Sequence, residues 1–280
     1  VTYKPFAVLG LNAQYLGFWG RGSQHYYTAF LGWPAVADYL NTLKEALNGG
    51  LAAYLRPSSF KVDHVLDDVN DLGMVQRIFK YDLFLLDRDG TLHAYHSRER
   101  VPAFEATLKV IAPRSEIISN SSYDELRRIR DVFPDIPTNK LVTFEGAADA
   151  MHLLRFEGGD LHVLRYDPAT HALTDETSSF KGPDESLTAR IVRNIKKPNP
   201  LVIHAVRDFN ITTGRCPAEP KIVMVGDRHL TDIVAGNRAG VATAYMTPYK
   251  PFSDPLGLMF SRYFLDVPIA TVMRTLGKIV

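Results

Sequence analysis

The sequence is poor in several things, and each absence excludes something. Its 280 residues hold one cysteine, Cys216, so no disulfide can form within the chain. That suits a reducing compartment, in which the sequons Asn120-Ser121-Ser122 and Asn210-Ile211-Thr212 are chance matches. No run reaches the ~18 apolar residues of a membrane-spanning helix. The formal net charge is only +1, so there is no global basic excess for nucleic acid and no acidic tail for a basic partner. Internal repeats and low-complexity runs are missing as well. The chain begins with Val1 rather than Met, which leaves a preceding targeting segment open.

What is present is an ordinary globular composition, 46% hydrophobic and 22% charged, enough for one large domain with appendages. Residues 1–55 form an aromatic-rich arm that includes Tyr15, Phe18, Trp19 and Trp33. Its stretch from Pro5 to Gly20 carries no charge. Val36, Tyr39, Leu40, Leu43 and Leu47 then fall on one helical face. Such an arm can dock on a membrane surface, on a large protein assembly, or on the chain's own core.

Residues 56–250 alternate strand-like and helix-like segments. Strands are expected at Asp82–Leu86, Glu116–Ser119, Leu141–Phe144, Lys221–Val225 and Val241–Met246. Helices are expected at Ala103–Ile111, Tyr123–Val132, Asp184–Ile195, Leu201–Phe209 and Thr231–Arg238, the last stopped by Gly240. This order predicts an α/β fold, a parallel sheet with helices on both faces and its ligand at the carboxyl ends of the strands. An insertion at about 145–183 interrupts it. There Leu161–Tyr166 and His171–Thr174 flank a turn and read as a small hairpin. Residues 251–280 read as two packing helices.

The chemistry starts at Asp87-Arg88-Asp89-Gly90-Thr91, at the end of an apolar strand. Two carboxylates this close repel by roughly 4 kcal/mol at an effective dielectric of about 20. Asp87 is suited to attack phosphorus and carry an aspartyl-phosphate. Asp89 is suited to general acid and base work. Gly90 permits a sharp turn, and Thr91 offers a hydroxyl and an N–H to phosphoryl oxygens. A Mg²⁺ against the two carboxylates would offset their repulsion. A calcium loop counted from Asp87 needs Glu at its twelfth position, where Arg98 stands.

Three later elements add to this. Ser119 ends a strand beside Asn120 and can hold a phosphoryl oxygen, or simply cap the next helix. Lys197 lies between Lys196 and Pro198; with Pro198 at the first position of a helix, Lys197 stands at its tip, placed to neutralise the transferring group. Lys196 reads as solvated. Gly226-Asp227 ends another apolar strand, and Asp227 can complete a Mg²⁺ site. Asp232 either orients that loop or sits at a helix start. His93 and His96 lack partners for a zinc site and read as surface residues. His229 lies in the last loop, within possible reach of the site.

These four elements, in this order, resemble the motifs of the haloacid dehalogenase (HAD) phosphatase superfamily over roughly residues 55–265. A narrower resemblance is to the mitochondrial phosphatidylglycerophosphate phosphatases and their bacterial relatives. It rests on Pro57 to Val69, Leu72-Gly73, Lys196-Lys197-Pro198, Gly226 to Ile233 with Gly236-Asn237, and Asp254-Pro255-Leu256. That family carries Asn where this chain has Gly90, and a shorter segment between the positions of Ser119 and Lys197. The resemblance implies a HAD-like Rossmannoid domain. It implies Asp87 as nucleophile, Asp89 as acid and base, and Mg²⁺ on Asp87, Asp227 and the Asp89 backbone carbonyl. It further implies Ser119, Lys197 and Thr91 on the phosphoryl group, with Gly90, Asn120 and Asp232 supporting them. The substrate implied is phosphatidylglycerophosphate, on the matrix side of mitochondria, as a step toward cardiolipin. Another phosphomonoester, or a role as a HAD-fold subunit of a large assembly, stays open.

Ser119 follows Asp89 by 30 residues, too few for a large cap, and the later insertion is expected to form at most a small flap. An open site suits a large substrate such as a lipid headgroup, because small metabolites are usually enclosed to exclude water.

Overall fold

Apolar runs without alternation belong in parallel strands covered on both faces. The computed structural model, which describes residues 57–249 except 95, 96, 98 and 181–183, has such strands at its centre. The strands are β1 (His64–Leu66), β2 (Leu83–Leu86), β3 (Ser115–Ile118), β4 (Thr138–Phe144), β5 (Ala147–Glu157), β6 (Asp160–Asp167), β7 (Ala172–Asp175), β8 (Ile191–Ile195), β9 (Ile222–Gly226) and β10 (Ala242–Met246). The helices are α1 (Asp71–Phe79), α2 (Glu105–Ile111), α3 (Tyr123–Val132), α4 (Asp184–Arg190), α5 (Leu201–Thr212) and α6 (Val234–Ala239). The strands join one sheet in the order β1-β10-β9-β2-β3-β4-β5-β6-β7, with β8 also paired to β4. The pairs from β1 through β4 are parallel.

Strand period separates the two faces. Phe84, Leu86, Val223 and Val225 meet Leu72 and Val75 of α1, Leu108 and Ile111 of α2, and Leu126 and Ile129 of α3. Leu83, Leu85, Ile222 and Met224 meet Val202, Ile203 and Val206 of α5 and Ala235 of α6. The expected α/β fold with helices on both faces is therefore present. The chain leaves β2 toward β3 and β4 on one side, and returns to β9 and β10 on the other. That makes the carboxyl end of β2 the switch point where ligands bind in such sheets.

Four expectations need correction. The helix expected over Asp184–Ile195 stops at Arg190, and Ile191–Ile195 pairs antiparallel with Leu141–Phe144 of β4. The edge of β4 used by β3 at Thr138 and Asn139 is open beyond them, and a segment rich in Ile and Val fills it. The insertion is larger than a hairpin: β5 runs antiparallel along β4, and β6 and β7 follow, so it widens the sheet instead of forming a flap. Pro198 is not the first residue of a helix. The Lys197–Pro198 peptide is cis, and α5 begins at Leu201 behind Pro200. The helix expected from Thr231 is π-helical over His229–Ile233 before α6 starts, and it ends, as expected, at Gly240 with φ +71°. The arm 1–55, the C-terminal pair of helices, Asp254-Pro255-Leu256 and His96 lie outside the described residues.

Candidate functional site

Four chain segments end at one place. Asp87 follows β2, and its N–H still donates to Val225 O of β9 at 2.8 Å. The chain then turns: Thr91 and Leu92 N–H both donate to Arg88 O, at 3.2 and 2.9 Å. Gly90, at φ +81°, donates to His93 O at 2.9 Å. That left-handed conformation is why a glycine is needed here. Thr91 is fully buried and its hydroxyl has no hydrogen-bond partner, so a donor stands unused in the turn that follows Asp87.

Lys197, just after β8, is 2% exposed. Its Nζ lies 2.5 Å from Asp87 Oδ1 and 2.6 Å from Asp232 Oδ1. Asn120 sets its backbone: Lys197 N–H donates to Asn120 Oδ1 at 2.8 Å, and Asn120 Nδ2 donates to Lys197 O at 3.1 Å. A side-chain amide thus joins the end of β3 to the end of β8. Ser119 stands beside it, donating to Ser121 Oγ at 3.0 Å. Asp232 reaches back to the end of β9, accepting from Arg228 N–H at 3.2 Å. A Cβ on Gly226 would lie 2.3 Å from the Asp232 carboxylate, so only glycine admits this approach.

Asp87, Asp227 and Asp232 bring one oxygen each within 4.8 Å of one another. Three carboxylates against one Lys197 ammonium leave an excess of negative charge. Hard oxygen donors with that excess fit a divalent cation such as Mg²⁺. Burial pushes the Asp87 carboxyl up to about 6, aided by the Asp232 and Asp89 charges and opposed by Lys197. Burial alone would lower the Lys197 ammonium, but Asp232 and Asp87 together raise it, so it stays charged.

Asp89 is held differently. Arg88 Nη2 lies 2.5 Å from its Oδ2, and Ser121 Oγ donates to the same oxygen at 3.4 Å. Each carboxylate of the pair therefore has its own cation, Lys197 for Asp87 and Arg88 for Asp89, before any metal is considered. Sequence reasoning passed over Arg88, Ser121 and Glu125, which pairs with Arg88 at 2.8 Å. The only sequence signal was the Ser122-x-x-Glu125 capping box: Ser122 Oγ accepts from Glu125 N–H at 3.3 Å. His93 is buried rather than exposed, stacked on Phe133 at 5.8 Å, with Nδ1 on Ala94 O at 2.6 Å. Burial lowers its pKa. His229 is buried against the Tyr245 ring at 4.3 Å. A cavity of about 530 Å³ lies at the opposite end of the sheet, by Asp82, Ser115, Glu116 and Cys216. It contains none of these groups.

Comparison with known proteins agrees with the geometry. The HAD-hydrolase-like family matches residues 194–247, which run from the end of β8 through β10 and include Lys197, Asp227 and Asp232. The chain is related to the HAD phosphatases. Among curated proteins, phosphatidylglycerophosphate phosphatase 1, chloroplastic, from Chlamydomonas reinhardtii is 47% identical over 47 residues, 17% of this chain and 17% of that protein. Phosphatidylglycerophosphate phosphatase 1, chloroplastic/mitochondrial, from Arabidopsis thaliana is 27% identical over 122 residues, 43% of this chain and 32% of that protein. The matches thus span a third or less of these relatives. No solved structure matches the chain significantly. In this HAD-like frame the carboxyl ends of β2, β3 and β9, together with the end of β8, supply the acidic cluster, the hydroxyls and the buried lysine.

Proposed function

We propose that the protein is a Mg²⁺-dependent phosphomonoesterase working through an aspartyl-phosphate, and that it converts phosphatidylglycerophosphate to phosphatidylglycerol. One observation carries the reading: Lys197 Nζ touches both Asp87 and Asp232 beside Asp227, gathering groups spread over 146 positions of chain into a site for a cation and an anion. Asp87 attacks phosphorus, the phosphorus–ester oxygen bond breaks, and the leaving oxygen takes a proton from Asp89. Water then attacks the same phosphorus, gives a proton to Asp89, and the bond to Asp87 breaks. Lys197, Ser119 and Thr91 hold the phosphoryl oxygens. Asp87, Asp227 and the Asp89 carbonyl would hold Mg²⁺, with Asp232 in reach. When bound, the metal supplies positive charge to the nucleophile and the transferring group.

The lipid substrate is supported by the names of the two curated relatives and by an insertion that widens the sheet instead of capping it. Their organellar names support an organelle as the location; mitochondria, with residues 1–55 on the inner membrane, is our reading. The test is Mg²⁺-dependent phosphate release from phosphatidylglycerophosphate in micelles, beside an aryl phosphate, with Asp87→Asn as control. The reading expects strong release from the lipid, weak release from the aryl ester, and a loss of at least ~10⁴-fold in the variant. Release from the aryl ester alone would discard the substrate. Release from neither, with folded protein and Mg²⁺, would discard the enzyme and favour a HAD-fold subunit of a larger assembly.

A further inference from the structure

We propose that Arg88, the residue between the two motif carboxylates, is a positioning residue that sets the proton-transferring Asp89 apart from the metal and nucleophile cluster. The inference rests on the phosphatase reading and gives a role to a residue to which that reading assigns none. Arg88 is 1% exposed, although it directly follows the nucleophile in the chain. Its side chain turns to α3. Nη1 donates to Glu125 Oε1 at 2.8 Å, and Nη2 donates to Asp89 Oδ2 at 2.5 Å and to Ser121 Oγ at 3.1 Å. The planar guanidinium thus spans two carboxylates and a hydroxyl in one rigid fork. Glu125 is itself fixed by its place in the first turn of α3 and by Arg128 at 3.3 Å.

The consequence is a division of labour between neighbours in sequence. Lys197 holds Asp87 against Asp232, while Arg88 and Ser121 hold Asp89 toward α3. Ser121 also accepts from Ser119 Oγ at 3.0 Å, so the bracket links Asp89 to a hydroxyl assigned to the phosphoryl group. Without Arg88, Asp89 loses the guanidinium that draws it toward α3, and can turn toward Lys197 and the acidic cluster. It would then no longer stand where the leaving oxygen needs a proton. Misplacement of that kind harms the step that needs the acid, and spares attack on an ester whose leaving group needs none.

That difference is the test. Wild type, Arg88→Met, Arg88→Lys and Glu125→Gln are compared on phosphatidylglycerophosphate and on 4-nitrophenyl phosphate, with first-turnover nitrophenolate release followed by stopped flow. The nitrophenolate leaving group needs no proton. Arg88→Met is expected to lower kcat on the alkyl ester by ~100-fold, with first-turnover release from the aryl ester changed by less than about 3-fold. Arg88→Lys should recover part of the alkyl activity. Glu125→Gln should show a smaller loss with the same selectivity, and it decides the matter if Arg88→Met does not fold by circular dichroism. Equal losses on both esters, or no loss on either, would overturn the positioning role. If wild type shows no Asp87-dependent turnover of either ester, the phosphatase reading falls and takes this inference with it.

Discussion

Two of the buried ionic clusters among the described residues are built on opposite balances. One lies among β3, β4, β5 and α5. Glu116 accepts from Arg155 Nη1 at 2.6 Å, from Asn139 Nδ2 at 2.8 Å and from Asn210 Nδ2 at 2.8 Å, so both of its oxygens are used. Arg155 also meets Glu157, which takes both arms of Arg215 at 2.6 and 2.8 Å. There, two carboxylates answer two guanidiniums. The other cluster sets Asp87, Asp227 and Asp232 around a single Lys197. A balanced network locks strands to a helix. An unbalanced one holds charge ready for a ligand, which is why perturbed carboxyls tend to mark functional sites.

Breaking the balanced cluster has the largest effect on the fold. Arg155→Met leaves Glu116 buried without its cation. It should lower unfolding free energy by about 3–5 kcal/mol, while kcat per folded molecule stays near wild type. Urea unfolding followed beside activity checks both halves of that statement. Breaking the unbalanced cluster should do the reverse. Lys197→Met should cut kcat by ~10²–10³-fold. It should also make thermal stability more dependent on Mg²⁺ than in wild type, since the Lys197 ammonium no longer offsets the charge of Asp87 and Asp232.

How much of this was readable beforehand differs between the clusters. Asp87, Ser119 and Asp227 were legible because each follows a run of apolar residues that can only be a buried strand. Lys197 was legible through its place before Pro198, although the helix reason given for it was wrong. The Glu116–Arg155 cluster was invisible. Glu116 read as an ordinary strand residue, and Arg155 sits on β5, a strand whose pairing with β4 no local pattern announces. The same blindness hid Arg88, whose direction depends on α3 some 37 positions later.

The smallest effect expected concerns pH, and it sharpens the comparison rather than breaking it. With the Asp87 carboxyl raised from 3.8 to about 6, its protonated form is the one the metal-free fold prefers. That contribution is fully present below about pH 4 and is lost as pH rises through about 6, amounting to at most ~3 kcal/mol. In metal-free protein, Asp87→Asn should therefore match wild type at pH 4.5 and exceed it in stability at pH 8. Chemical unfolding at the two pH values reads this out. Under the proposed mechanism activity moves the other way, because there only ionised Asp87 attacks. At limiting Mg²⁺, turnover should fall as pH drops through about 6.

Sequence alone determined the residue types, the strand ends that carry them and the two-faced sheet, because hydrophobic period and chain punctuation are local properties. It also determined that two carboxylates would stand one residue apart. Which cation each would receive was decided only in the tertiary structure. Lys197 comes to Asp87 from 110 positions away, and Arg88 turns to Glu125 on a helix it cannot sense locally. The strand fate of Ile191–Ile195 and the sideways growth of the sheet were settled the same way, by the two edges of β4: β8 takes the one that β3 leaves open, and β5 lies along the other. Backbone donors and acceptors on those edges need partners, and only the assembled sheet says which segment supplies them.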